Sequence, residues 1–284
     1  MQAVAGSMRA CAKCAQVNAG KKEDSFMIIY KTPKQIREMK KAGELSAYVL
    51  REVGAAVEPG ISTWELDRLA EKTIRANGGK PAFKGYGGFP GSICASINDE
   101  IVHGIPSKER ILQEGDIISI DTGAIVNGWV GDNAWTFPVG EISPKKQHLL
   151  EVTEASMWAG IEAAIVGSHL GDVGYAIQHV AEAAGYGVVR DYVGHGVGRN
   201  MHEEPDVPNY GKRRRGLELS PGLVIAIEPM VNMGTRRTKR MRDGWLVCTH
   251  DHKPSAHFEK TIAVTEDGPV LLTVEPDHVR PVND

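Results

Sequence analysis

The stretch ISIDTGAIVNGWVGDNAW, residues 118–135, reads as a β-hairpin. Asn-Gly between β-branched and aromatic runs favours a two-residue type I′ turn, because both central positions need positive φ. A turn on Asn127 and Gly128 sets Asp132 opposite Gly123, which shares a strand face with Asp121 by the two-residue period. Asp121 and Asp132 then become diagonal neighbours, near enough to share one object. Two carboxylates this close, beside Ile120 and Trp135, oppose each other's ionisation, and a cation is the simplest compensation. Two solvated carboxylates on an exposed hairpin satisfy the same pattern, so other ligands must decide.

The chain of 284 residues allows two domains or one large α/β or α+β domain, and its 42% hydrophobic content suffices for a sizeable core. A formal net charge of -3 leaves any nucleic-acid or membrane role to a local patch. Cys11, Cys14, Cys94 and Cys248 are too few for a disulfide framework and point to a reducing compartment. No run approaches the roughly 18 apolar residues of a spanning helix, and no apolar leader opens the chain. A soluble, unexported protein is the expectation.

Residues 1–26 carry small and polar side chains without apolar periodicity, which predicts a disordered extension. Cys11-x-x-Cys14 has the spacing of half a zinc site but lacks two further ligands nearby. From Thr32-Pro33 the spacing predicts a helix to about Val53, and the capping box Ser62-Thr63-Trp64-Glu65 opens a second that Gly78-Gly79 stops. Residues 162–185 repeat the plan of residues 53–78: helix, Gly-containing break, helix. A Gly-rich, strand-forming stretch with a histidine follows each copy, residues 91–106 and 191–205. Two related halves around a shared centre explain this, and so does chance likeness of two amphipathic helices.

The second half offers further ligands. His195 lies in Gly194-His195-Gly196-Val197-Gly198, where glycines admit a close approach, although a lone histidine is commonly structural. Glu228 is a charge inside the apolar strand run of residues 222–229, and Glu259 repeats that anomaly within residues 257–264, with an ion pair to Lys260 as its plain alternative. Four carboxylates and one imidazole are too rich in oxygen for a structural zinc site and suffice for two bridged divalent ions.

The motifs ASINDEIVHGIP, ISIDTGAIVNGWVGDNAWTF, GHGVGRNMHEEP, IAIEPM and FEKTIAVTEDG, in this order, resemble the methionine aminopeptidases of the shorter type. These belong to the pita-bread metallopeptidases, with prolidase and aminopeptidase P. The likeness covers about residues 27–273, and the step from His202 to Glu228 leaves no room for the helical insert of the longer type. It implies an α+β fold of two pseudo-twofold halves, with a central curved antiparallel sheet and outer helices, in one catalytic domain over residues 27–284.

The resemblance also implies roles. Asp121 becomes a terminal ligand of one metal, Asp132 and Glu259 bridge both, and His195 and Glu228 complete the other. The two divalent ions would be Co, Mn, Fe or Zn. His103 contacts substrate near the scissile bond, His202 holds the peptide carbonyl, and Glu228 shuttles the proton. Phe83, Tyr86, Phe89, Cys94, Met201 and Trp245 surround the methionine side chain, unless they are ordinary core. The substrates are nascent polypeptide N-termini with a small second residue, met in the cytoplasm by a monomer without membrane contact. The basic runs at 212–215 and 236–242 are either solvated loops or a ribosomal RNA contact. A proline-specific sister peptidase and a non-catalytic peptide- or RNA-binding protein are the rival readings.

Overall fold

Capping boxes at Thr32 and Ser62 start the first two helices, each with the cap hydroxyl accepting from the N3 backbone and the N3 side chain returning the bond. The computed structural model describes residues 27–274. The expected disordered extension and the Cys11/Cys14 pair lie outside the described residues. In chain order the elements are α1 (Pro33–Ala55), α2 (Thr63–Ala76), β1 (Lys80–Pro81), β2 (Ile93–Ile97), β3 (Glu100–Val102), β4 (Ile117–Val126) and β5 (Trp129–Pro138). The second half adds α3 (Pro144–Glu162), α4 (Leu170–Ala183), β6 (Gly187–Val188), β7 (Gly194–Gly196), β8 (Glu203–Val207) and β9 (Val224–Ile227). It ends with β10 (Met230–Asn232), β11 (Thr238–Arg240), β12 (Val247–Thr249), β13 (Ser255–His257), β14 (Lys260–Thr265) and β15 (Gly268–Leu271).

The hairpin turns where the sequence predicts. Asn127 and Gly128 take φ of 50° and 74°, the pair of positive values that a type I′ turn demands. Gly123 pairs with Asp132 and Asp121 with Ala134, so both aspartates share one face of β4 and β5. The other face of β4 carries Ile118, Ile120 and Ala124 into a core shared with Leu45, Val49, Leu66 and Ile74 of α1 and α2. Gly131 permits the close approach of α1, since a Cβ there would stand 2.3 Å from the Ala42 backbone carbon.

The second half repeats this arrangement. Leu149 and Met157 of α3 and Val173 and Ile177 of α4 cover Ile225, Ile227 and Ile262 on β9 and β14. Each half therefore sets two helices outside an antiparallel ladder, as the two-halves reading expects. Among the described residues the strands form four antiparallel sheets rather than one unbroken ladder.

The breaks place the glutamates. Both glutamate stretches read in the sequence as strands with a charge inside, yet Glu228 falls between β9 and β10 and Glu259 between β13 and β14. Ile227 pairs with Lys260 on one side and Met230 with His257 on the other, so one register runs through the gap and sets Glu228 opposite Glu259. Pro229 has no N–H to offer the ladder, and the Glu259 N–H turns away to the Ala134 carbonyl at 2.9 Å. Among the described residues, no helix is long and apolar enough to cross a membrane.

Candidate metal centre

The site forms where the hairpin meets the second half. The Thr261 hydroxyl donates to the Asp132 carbonyl at 2.7 Å, and with the Glu259–Ala134 bond it fastens β14 to β5. Trp135 and Phe258 meet edge to face at 4.6 Å across the same seam. These contacts hold Glu259 beside Asp132.

Asp132, His195 and Glu259 are 3%, 7% and 2% exposed, and each aims a ligand atom into a group within 4.8 Å. The Glu228 carboxylate joins them, with Oε1 at 3.5 Å from His195 Nε2. Asp121 stands outside that triplet, on β4 across from Ala134. The Asn209 amide donates to the Glu228 carbonyl at 2.9 Å and fixes the backbone at the ladder break.

Three observations fit a divalent metal here. Asp121 Oδ1, Asp132 Oδ1 and Glu259 Oε1 are buried without a hydrogen-bond partner, an expensive state for a carboxylate. Burial pushes the Asp132 carboxyl up to about 7. Burial first, and neighbouring carboxylates second, hold Asp121, Glu228 and Glu259 well above the usual range. The third observation is a tautomer. His195 Nδ1 lies 2.9 Å from the Gly196 carbonyl, which only accepts, so Nδ1 carries the proton and Nε2 turns a lone pair toward the carboxylates. A lone pair among carboxylate oxygens is repulsive until a cation sits between them, and burial keeps this imidazole neutral by lowering its pKa to about 4.

His202 stands beside His195, with ring centres 4.2 Å apart, and is stacked on Tyr86, whose hydroxyl lies 2.9 Å from Nδ1. Lost hydration on its inner side, then His195 and His103, hold its pKa well below the usual value. His103 follows β3 in the left-handed region, with φ of 63°, and meets Tyr192 and Trp245 edge-on. Burial, with the Arg240 charge, lowers its pKa to about 4. By residue type alone both histidines would pass for surface residues. His103 is half-buried and His202 is exposed.

The six residues expected around the substrate side chain come together in one cluster. Phe83, Phe89, Cys94, Met201 and Trp245 pack with one another, and Tyr86 lies against them. They pack against Gly123, where a Cβ would stand 2.9 Å from the Phe83 ring and 3.0 Å from Met201 Cε. The cluster therefore abuts the strand position paired with Asp132.

Sequence reasoning missed two features. Lys31 Nζ donates to Glu203 Oε2 at 2.8 Å, and this buried pair anchors the loop that carries His202. His257 Nε2 lies 3.5 Å from Glu228 Oε2. Lys31 carries no local signal for a partner 172 residues away. His257 did carry one, since it precedes Glu259 by two residues and so shares its strand face.

Comparison with known proteins agrees with this geometry. The model of metallopeptidase family M24 matches residues 37–266. A methionine aminopeptidase of Clostridium acetobutylicum is 51% identical over 248 residues, covering 87% of this chain and 99% of its own. Methionine aminopeptidase 1 of Bacillus subtilis is 52% identical over 247 residues, with coverage of 87% and 99%. The crystal structure of a methionine aminopeptidase from Thermotoga maritima superposes with a TM-score of 0.86 at 46% identity, covering 88% of this chain and 100% of that one. With a family match across most of its length and relatives matched nearly end to end, the chain belongs to metallopeptidase family M24.

Proposed function

We propose that this protein is a methionyl aminopeptidase that removes the N-terminal methionine from nascent proteins and peptides when the second residue is small. Two divalent ions would be held by Asp121, Asp132, His195, Glu228 and Glu259, within a catalytic domain over residues 27–284. The observation that carries this reading is the apolar, sulfur-containing cluster packed against Gly123, one strand pairing from Asp132, which we read as the place of the substrate side chain. An unbranched thioether suits such a pocket through contacts worth roughly 0.3 to 1.5 kcal/mol each.

When bound, the ions supply Lewis acidity and lower the pKa of water. The chain's own residues do the rest. Glu228 takes the proton of the attacking water and returns it to the leaving nitrogen, acting as base and then acid. With the Tyr86 hydroxyl, 2.9 Å away, donating to His202 Nδ1, the neutral ring would carry its proton on Nε2 and offer it to the developing oxyanion. His103 borders the scissile bond, and the aromatic walls exclude bulk water.

The test is release of free methionine from Met-Gly-Met-Met and from its Leu-first and Pro-first analogues, using chelator-stripped protein with Co, Mn, Fe or Zn restored. Metal-dependent cleavage confined to the Met-first peptide is the expected result. No cleavage despite metal binding would replace this reading with a peptide- or RNA-binding role, and proline-dependent cleavage with a sister peptidase.

The protein would act as a monomer in the cytoplasm. Lys212, Arg213, Arg214 and Arg215 are exposed, as are Arg236, Arg237, Lys239, Arg240 and Arg242, and the second run borders the loop that carries Trp245. Both runs suit ribosomal RNA phosphates near an emerging chain. Charge reversal of both should release the protein from sedimenting ribosomes, and unchanged cosedimentation would contradict this.

A further inference from the structure

His257 is a fully buried side chain, 1% exposed, whose Nε2 has no hydrogen-bond partner. A buried polar atom left unpaired costs roughly 1 to 3 kcal/mol, so its retention calls for a use. Its backbone is clamped by one side chain. The His257 N–H donates to Thr136 Oγ1 at 2.9 Å, and that hydroxyl donates to the His257 carbonyl at 2.8 Å. The ring projects from the last position of β13, beside the break that holds Glu228 opposite Glu259.

The two oxygens of Glu228 face different histidines. Oε1 lies 3.5 Å from His195 Nε2 and Oε2 lies 3.5 Å from His257 Nε2. His195 has spent its proton on the Gly196 carbonyl and offers Oε1 a lone pair. His257 has no such commitment at Nε2. Placing its ring proton there turns a repulsive approach to Oε2 into a donor aimed at it. A separation of 3.5 Å is short of a formed hydrogen bond, and catalytic contacts of this kind tighten once an active site is filled.

We propose that His257 is a positioning residue for Glu228, donating from Nε2 to Oε2 so that the carboxyl plane is fixed with Oε1 turned to the other ligands. The proposal rests on the reading of Glu228 as proton carrier. A carboxyl that must accept a proton from one direction and release it in another loses rate when its plane can rotate. Removal of a donor of this kind typically costs 10- to 100-fold in metal affinity or activity.

The test compares wild type, His257→Leu and His257→Gln. Leucine removes the unpaired nitrogen, so the melting temperature should hold or rise, and metal stoichiometry should stay at the wild-type value. On Met-Gly-Met-Met, kcat should fall about 10- to 100-fold with KM unchanged. Glutamine, whose amide nitrogen reaches a similar place, should recover kcat to within about threefold of wild type. Full kcat in His257→Leu would overturn the proposal, as would a loss of melting temperature that tracks the loss of activity in both variants. A readout independent of turnover is the nitrogen-15 spectrum of labelled histidine in metal-free protein. It should show His257 protonated at Nε2, with a resonance that shifts in Glu228→Gln, and protonation at Nδ1 would overturn the contact. A wild type without peptidase activity would sink the proton-carrier reading instead, while the tautomer still decides the contact.

Discussion

Glu228 and His202 occupy different shells of the same site, and substitution should separate them. Glu228 is a ligand candidate and the proposed proton carrier, so Glu228→Ala should abolish turnover. His202 is stacked on Tyr86 and offers no atom to the triplet of Asp132, His195 and Glu259. His202→Ala should therefore keep the bound metal while hydrolysis slows by roughly 3 to 4 kcal/mol of lost oxyanion stabilisation. Steady-state kinetics with metal analysis on the same samples checks both, and full activity in either variant would contradict the assignment. At this scale the sequence was legible wherever a charge interrupted an apolar run, as at Asp132 or Glu259. His257 was marked only by standing two residues before Glu259, and nothing local distinguishes an unpaired imidazole from one that is satisfied.

Local elements were the most legible part of the fold. The Thr32 and Ser62 capping boxes and the Asn127-Gly128 turn each draw their energy from residues within four positions, so a short window contains the whole argument. Glu228 and Glu259 were recognised as anomalous but read as lying inside strands. Their true setting depends on a register between segments some thirty residues apart, which no local pattern encodes. The Lys31–Glu203 pair is the extreme case, joining the approach to α1 with the first residue of β8. Both side chains are almost fully buried, so removing one partner strands the other charge in the interior. Lys31→Met should cost about 3 to 5 kcal/mol. Denaturant unfolding measures it, and a change below about 1 kcal/mol would show that the pair is not a structural tie.

Across the whole molecule, the site couples stability to pH and metal. In metal-free protein a raised carboxyl holds a proton that the unfolded chain releases, so its contribution falls as pH rises from 3.8 to the folded value, about 7 for Asp132. A depressed imidazole does the reverse between its folded value, about 4 for His103 and His195, and 6.5. The two trends oppose each other up to pH 6.5, and above it only the carboxyls remain. Metal-free protein should therefore lose stability above pH 6.5, on the order of 1 kcal/mol per pH unit for each carboxyl still protonated. Metal-loaded protein should not, because metal binding requires deprotonated ligands. Thermal melts with and without chelator from pH 5 to 9 compare the two, and parallel curves would contradict the linkage.

The central claim is that the two halves converge on one divalent metal centre. Its most direct measurement is the number of ions bound per chain, by calorimetric titration of chelator-stripped protein with Mn or Co and elemental analysis of the product. Wild type should bind two, while Asp132→Asn and Glu259→Gln, each altering a proposed shared ligand, should bind fewer and more weakly with the fold retained. Wild-type stoichiometry in both variants, or no binding by wild type, would contradict the account.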